Sequence, residues 1–512
     1  MPRSGGMRRA LAFASLTLLM PASAWCDAGL DFVNAPGPHA VGLRVVQQYD
    51  PSRSYKDRID IVTGRIITGE RARPMQTLIW YPAASGGQAM RYGDYAELAQ
   101  TEESFDAPRL PAGTIGRRAR EIRAVAAQPM RAMRDATGAT GRFPVLIYAP
   151  SFGASAAENA DLCEYLASQG YIVIASASMG AHSRAMTGDL EGVETQVDDI
   201  EFLIGYTRTM PQVDLERLAV IGYSWGGLAN VAAAAKDARI RALVSLDGTI
   251  RYDNDTLKAI AWLTAARVTV PLLYVASRAA TLEQMNVDRK YYDISRDFLN
   301  ELKYSDVYIA SVAAMAHEDF SSYFLRVRQD EAFDDGYSRH EASVAHAWVG
   351  RYVERFLDAT LKGDAAARAF LDNDPARNGV PAHFMRMDAR RRAAEAPTLE
   401  NIALALSQRG FDHADDVIHE LHLDEAGNKP PQEALDDWAH RALWAGDASR
   451  AVHVFQFALR LHPASAGLND GLGEAWQAAG DHARAEAAYR AALALEPGNP
   501  GAVRHLHQLT GK

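Results

Sequence analysis

The sequence predicts an α/β body followed by a small all-α tail, and three features carry that expectation. From about Val41 to Met315, short continuous apolar runs alternate with segments of helical period. This is the pattern of parallel strands buried on both faces and joined by helices. A polar stretch punctuated by proline follows the last apolar helix, and beyond it the chain repeats itself every 34 residues. At 512 residues the chain exceeds one ordinary domain, and 48% apolar against 23% charged residues is a globular composition. With 54 Lys plus Arg against 64 Asp plus Glu, the net charge of −10 leaves no electrostatic footprint for nucleic acid or an anionic membrane as main partner. Two cysteines, Cys26 and Cys163, are too few for a disulfide framework or a structural zinc cluster.

Residues 1–24 read as a signal peptide. Arg8 and Arg9 precede an apolar run from Ala10 to Met20, and Ala22-Ser23-Ala24 forms the cleavage site. Export to a periplasm or the medium is expected, and loss of Arg3, Arg8 and Arg9 takes the net charge from −10 to −13. Lipoprotein anchoring at Cys26 is disfavoured, because Trp25 stands where the processing peptidase needs a small residue. A Cys26–Cys163 disulfide is chemically open after export. Cys163 nevertheless lies in a helical pattern beside Leu162 and Leu166 and reads as a small buried hydrophobe. No later stretch is apolar for long enough to span a bilayer.

The body is expected over 25–371. Val41–Val46 and Gln76–Tyr81 read as early strands; Pro144–Tyr148, Tyr171–Ala175, Leu218–Ile221, Ala242–Leu246, Pro271–Val275 and Val307–Ile309 continue the series. Ser155 and Glu158 have the spacing of a capping box opening a helix that stops at Gly170. Val193, Val197, Ile200 and Ile204 share one helical face. About 95–140 is too long for a plain connection and reads as an inserted cap, with a helical pattern through Arg117, Arg118, Arg120, Met130 and Met133. Val344 to Leu361 forms the last apolar helix, and 372–397, with its run Arg390-Arg391-Arg392, reads as a solvated linker.

Residues 398–512 carry the repeat. Gly446-Asp447, Arg450-Ala451, Ala458-Leu459 and Pro463 recur as Gly480-Asp481, Arg484-Ala485, Ala492-Leu493 and Pro497. With Leu472, Gly473, Trp476 and Tyr489 on the motif's spacing, and Phe455 and Trp438 in the preceding copy, the segment resembles the tetratricopeptide helix-turn-helix repeat. Leu399–His422 around Gly410 reads as a degenerate third copy. The resemblance implies a surface that docks a protein partner or packs on the body.

Chemistry centres on Gly222-Tyr223-Ser224-Trp225-Gly226, a G-x-S-x-G sequence that ends an apolar strand and opens an alanine-rich helix. A neutral hydroxyl is a poor nucleophile, so Ser224 needs a base, and the base needs an orienting carboxylate. Asp247 ends the next strand, at the same carboxyl edge of the sheet. After Val275 there is Ser277 but no acid, and Glu283 is the nearest competitor. His317 follows the last strand and is the expected base; His182 is the alternative, but it precedes the serine and breaks the usual order Ser, acid, His. An oxyanion hole needs two backbone N–H groups. Trp225 supplies one, and the loop Ala149-Pro150-Ser151-Phe152-Gly153 supplies the other, with Phe152 preferred and Gly153 the alternative.

These motifs, with Leu246-Asp247-Gly248, Ala316-His317-Glu318-Asp319-Phe320 and Thr77-Leu78-Ile79-Trp80-Tyr81-Pro82-Ala83, resemble the platelet-activating-factor acetylhydrolase and dienelactone-hydrolase-like branch of the α/β-hydrolases. Asp247 lies 23 residues after Ser224, as in the acetylhydrolase pattern. Pro150-Ser151 replaces the usual His-Gly, and a serine stands where dienelactone hydrolases proper have cysteine. The resemblance implies an α/β-hydrolase fold and an exported serine hydrolase of short-chain or lipid-like acyl esters, with no metal or organic cofactor. A peptidase or amidase would use the same triad. An interaction protein acting through its repeats over a silent hydrolase body is the non-enzymatic alternative.

Overall fold

A computed structural model describes residues 32, 34–114, 116, 118–278, 298–328, 336–425 and 428–511. The expected leader, Cys26, Arg117 and Glu283 lie outside these residues. One sheet of twelve strands organises the body. Its members are β1 (Ala40–Ser54), β2 (Ala72–Ser85), β3 (Gln88–Arg91), β4 (Pro129–Arg134), β5 (Thr137–Gly138), β6 (Phe143–Ala149), β7 (Ile172–Ser176), β8 (Val213–Tyr223), β9 (Ala242–Leu246), β10 (Leu272–Ala276), β11 (Val307–Val312) and β12 (Met385–Arg390). They run in the order β12-β11-β10-β9-β8-β6-β7-β2-β1-β4-β3, with β5 paired to β2. The six from β7 to β11 are mutually parallel, while β1 and β2 form a long antiparallel pair.

Burial explains the continuous apolar runs. Within β6 and its neighbours, Leu146, Val173 and Ile221 belong to one core, and Val145, Ile172 and Val220 to the other. The first core is closed by α3 (Ala160–Ser168) and α8 (Arg339–Leu361), the second by α4 (Leu190–Tyr206) and α5 (Gly226–Ala234). After β6 the chain turns to β7 on one side and then crosses to β8 on the other. That reversal opens a crevice at the carboxyl ends of the strands, where ligands bind in open α/β sheets.

Three local expectations are corrected. The helix after β6 starts at Ala160, with Asn159 at its cap, rather than at a Ser155–Glu158 box. Ser155 Oγ instead donates to Glu102 at 2.7 Å, and Glu158 turns toward Ser151. In the insert, α1 (Tyr92–Leu98) and α2 (Ala119–Val125) are helical, but Met130 and Met133 lie in β4, which pairs in parallel with β1. Part of the expected cap is therefore sheet edge. Finally, the expected linker 372–397 contains β12, antiparallel to β11. Its arginines are engaged: Arg391 pairs with Asp306 at 3.4 Å and Asp372 at 2.6 Å, and Arg392 with Glu395 at 2.8 Å.

Between Asn254 and Asp372 the described residues form three further helices, α6 (Asn254–Ala259), α7 (Ser322–Val327) and α9 (Ala365–Asp372). The described residues of the tail form seven more: α10 (Leu399–Arg409), α11 (Ala414–Glu420), α12 (Gln432–Trp444), α13 (Ala448–Leu461), α14 (Ala466–Ala478), α15 (His482–Leu495) and α16 (Pro500–Thr510). The 34-residue period is visible as equivalent turns. Gly446 and Gly480 have φ of 84° and 83°, and Asp447 and Asp481 cap the helices that follow by accepting from the N–H groups of Arg450 and Arg484. Cys163 is buried, in keeping with a hydrophobic role. No helix among the described residues is long and apolar enough to cross a membrane.

Candidate active site

Ser224 sits at the carboxyl end of β8 with φ of 53°, a left-handed conformation that costs a non-glycine residue about 1–3 kcal/mol. The turn can be this tight because its flanks lack side chains. A Cβ on Gly222 would fall 2.0 Å from the Gly226 carbonyl oxygen, and one on Gly226 would fall 2.1 Å from that of Ala149. The strained turn is tied to β9: Ser224 N–H donates to the Leu246 carbonyl, and Thr249 N–H donates to that of Ser224, both at 3.0 Å. Asp247, also left-handed at φ 43°, donates its N–H to Val275 at 2.7 Å. The ends of β8, β9 and β10 thus hold one another.

Three of the sequence-predicted residues meet at this edge. His317 Nε2 lies 2.9 Å from Ser224 Oγ, and His317 Nδ1 lies 2.7 Å from Asp247 Oδ2. The carboxylate keeps the imidazole proton on Nδ1, which leaves Nε2 to accept from the serine hydroxyl. Asp247 is buried; its other oxygen accepts the Ser277 N–H at 2.9 Å and the Tyr252 hydroxyl at 3.4 Å. Tyr223 donates its hydroxyl to the His317 carbonyl at 2.9 Å, and its ring lies 5.3 Å from the imidazole. Burial disfavours the charged imidazolium, but the hydrogen bond that Nδ1 donates to Asp247 and the charges of Asp247, Glu318 and Glu158 outweigh it, so the His317 pKa is raised. His182 is exposed on the loop after β7 and makes no hydrogen bond to Ser224.

The loop after β6 completes the edge. Among the described residues, neither the Phe152 nor the Trp225 backbone N–H has an acceptor. Their rings meet edge to face at 5.6 Å. The loop is pinned on both sides of its turn. Gln196 Nε2 donates to the Pro150 carbonyl at 2.8 Å, while the buried Glu158 carboxylate accepts the Ser151 N–H at 2.8 Å and also the Ser151 hydroxyl. Burial pushes the Glu158 carboxyl up to about 7, against the downward pull of the Ser151 donors. Sequence reasoning missed Tyr252 and Gln196, which carry no motif, and misassigned Glu158 to a helix cap. Beside the loop a cavity of about 400 Å³ opens, lined by rings from α1, the loop and α7.

Among the described residues, one group of three metal-type ligands converges, Asp470, Glu474 and His505 in the tail. There Asp470 and His505 are already hydrogen bonded to each other at 2.9 Å.

A model of the dienelactone hydrolase family matches residues 131–281. That span includes the Phe152 loop, Ser224 and Asp247, and stops short of His317. Together with the strand order and the tight serine turn, it identifies the body as an α/β-hydrolase fold. Among solved structures, a ferulic acid esterase from Streptomyces cinnamoneus is similar at 20% identity and a TM-score of 0.46, over 65% of this chain and 93% of that one. The comparison with curated proteins gives no match.

Proposed function

We propose that this protein is an exported serine hydrolase of carboxylic esters. Ser224 Oγ attacks the acyl carbon while His317 Nε2 takes its proton, and the N–H groups of Phe152 and Trp225 receive the developing oxyanion. The carbonyl re-forms as the bond to the alcohol breaks, and His317 returns the proton to the departing oxygen. Water, deprotonated by His317, then cleaves the acyl-serine and restores the hydroxyl. Asp247 holds the imidazole throughout.

The observation that carries this reading is the unbroken relay Ser224–His317–Asp247 at 2.9 and 2.7 Å, set beside two backbone donors without acceptors. The family match over 131–281 supports ester hydrolysis as its class. The acetylhydrolase likeness rests on the Ser–Asp spacing and the β2 sequence. Export rests on the leader sequence, and the tetratricopeptide reading of the tail on the 34-residue period.

A fluorophosphonate probe tests it. The expected result is a single adduct on Ser224, lost in Ser224→Ala together with about 10⁴-fold or more of the turnover of p-nitrophenyl acetate. Labelling that survives the substitution, or folded protein that takes no label, would overturn the assignment.

A further inference from the structure

The helices of the insert between β3 and β6 belong to none of the motifs, yet they meet the oxyanion loop. α1 contributes Tyr92 and Tyr95, α2 contributes Ile122, the loop contributes Phe152, and α7, just past the His317 turn, contributes Tyr323 and Phe324. The 400 Å³ they enclose is within the range of pockets that hold a small organic ligand.

These walls are fixed. The Tyr95 hydroxyl donates to Glu164 at 2.6 Å and accepts the Trp80 indole N–H at 2.8 Å. Arg326, paired with Asp161 at 2.6 Å, lies over the Tyr92 ring at 5.0 Å. α7 is fastened to the loop: Tyr323 N–H donates to the Glu158 carbonyl at 3.1 Å, and Ser322 N–H to Asn159 Oδ1 at 2.8 Å.

Resting on the ester-hydrolase reading, we infer that this cavity is the acyl subsite and takes a flat, compact aryl-acyl group in preference to a long alkyl chain. Rings held in set orientations favour offset or edge-to-face contact with another ring. A flexible chain confined among them loses more rotamer freedom for the same contact. The loop after β6 assigns the arm. None of Ser224, Trp225, His317 and the turn 317–320 lines the cavity, whereas all of Ser151–Ser155 does, and this loop carries the Phe152 N–H proposed to hold the acyl oxygen.

Holding the leaving group constant, p-nitrophenyl benzoate, acetate and octanoate are compared with the full-length protein. The kcat/KM for benzoate exceeds that for octanoate roughly tenfold. Ala96→Trp and Ile122→Trp, which fill the cavity from two different helices, each lower the benzoate-to-acetate ratio roughly tenfold. Three results overturn the inference: octanoate preferred, a ratio unmoved by both substitutions, or an equal ring preference found in the alcohol half when benzyl and ethyl acetate are compared. Absence of acetate turnover with no fluorophosphonate adduct would remove the ester-hydrolase reading itself. Acetate turnover without benzoate preference removes only the subsite.

Discussion

A serine hydroxyl is not ionised near neutral pH, so what Ser224 can do is set by the imidazole 2.9 Å away. That imidazole is useful only when neutral, because the charged form has no lone pair left on Nε2. The His317 pKa is raised above the ordinary imidazole value, burial being outweighed by Asp247, with Glu318 and Glu158 adding to it. The acid limb of kcat/KM therefore falls above about pH 6.5, activity appearing as pH rises through the folded-state pKa. Asp247→Asn removes the charge and, with its carbonyl oxygen kept by the Ser277 N–H, turns an amide donor toward His317 Nδ1, which favours the wrong tautomer. The limb moves to lower pH, and kcat falls about 10⁴-fold. A pH–rate profile decides it: a limb that stays in place counts against Asp247 as the orienting acid.

At the scale of the element, the loop after β6, proposed to receive the oxyanion, is held by the Glu158 clamp. Glu158→Ala leaves both Ser151 donors without their partner and frees the loop, so kcat drops about 10²-fold with KM little changed. Glu158→Gln keeps a carbonyl for the Ser151 N–H and an amide that the Ser151 hydroxyl can accept, and restores most of the rate. Steady-state kinetics of the pair separates a clamp from a merely buried side chain: if glutamine is as damaging as alanine, the clamp is not what matters. The sequence announced the loop but not its clamp. Runs such as Val145–Tyr148 are apolar because both faces are buried, and the serine turn is marked by glycines whose side chains would collide with backbone. Those signals are local. Ser155 and Glu158 have the spacing of a capping box, so local reasoning gave Glu158 the wrong serine; its partner is Ser151. β12 was illegible for another reason: Met385–Arg390 is a largely exposed edge strand, and its charged residues protect the edge while erasing the apolar signal.

For the whole molecule, the question is where the catalytic body ends. The tail has its own core, with Leu406, Phe455, Ala458 and Leu468 packed apart from the two cores that sandwich the sheet. The Asn428 side chain donates to the Tyr304 hydroxyl at 2.7 Å, a polar contact of the kind that contributes about 1 kcal/mol. By contrast β12 is hydrogen bonded along β11, and Arg391 reaches Asp306, Asp372 and the Tyr308 hydroxyl. A boundary at 397 should therefore be nearly silent, and one at 383 should not. A chain ending at Pro397 keeps kcat/KM within about twofold, since every residue proposed for catalysis precedes it. A chain ending at His383 uncovers the edge of β11, the strand that delivers His317, and its Tm falls by about 5 °C or more with a tendency to associate through that edge. Thermal unfolding and activity of the two chains separate the cases. Equal losses would mean that the repeats support the body after all, and no loss at 383 would mean that β12 is dispensable.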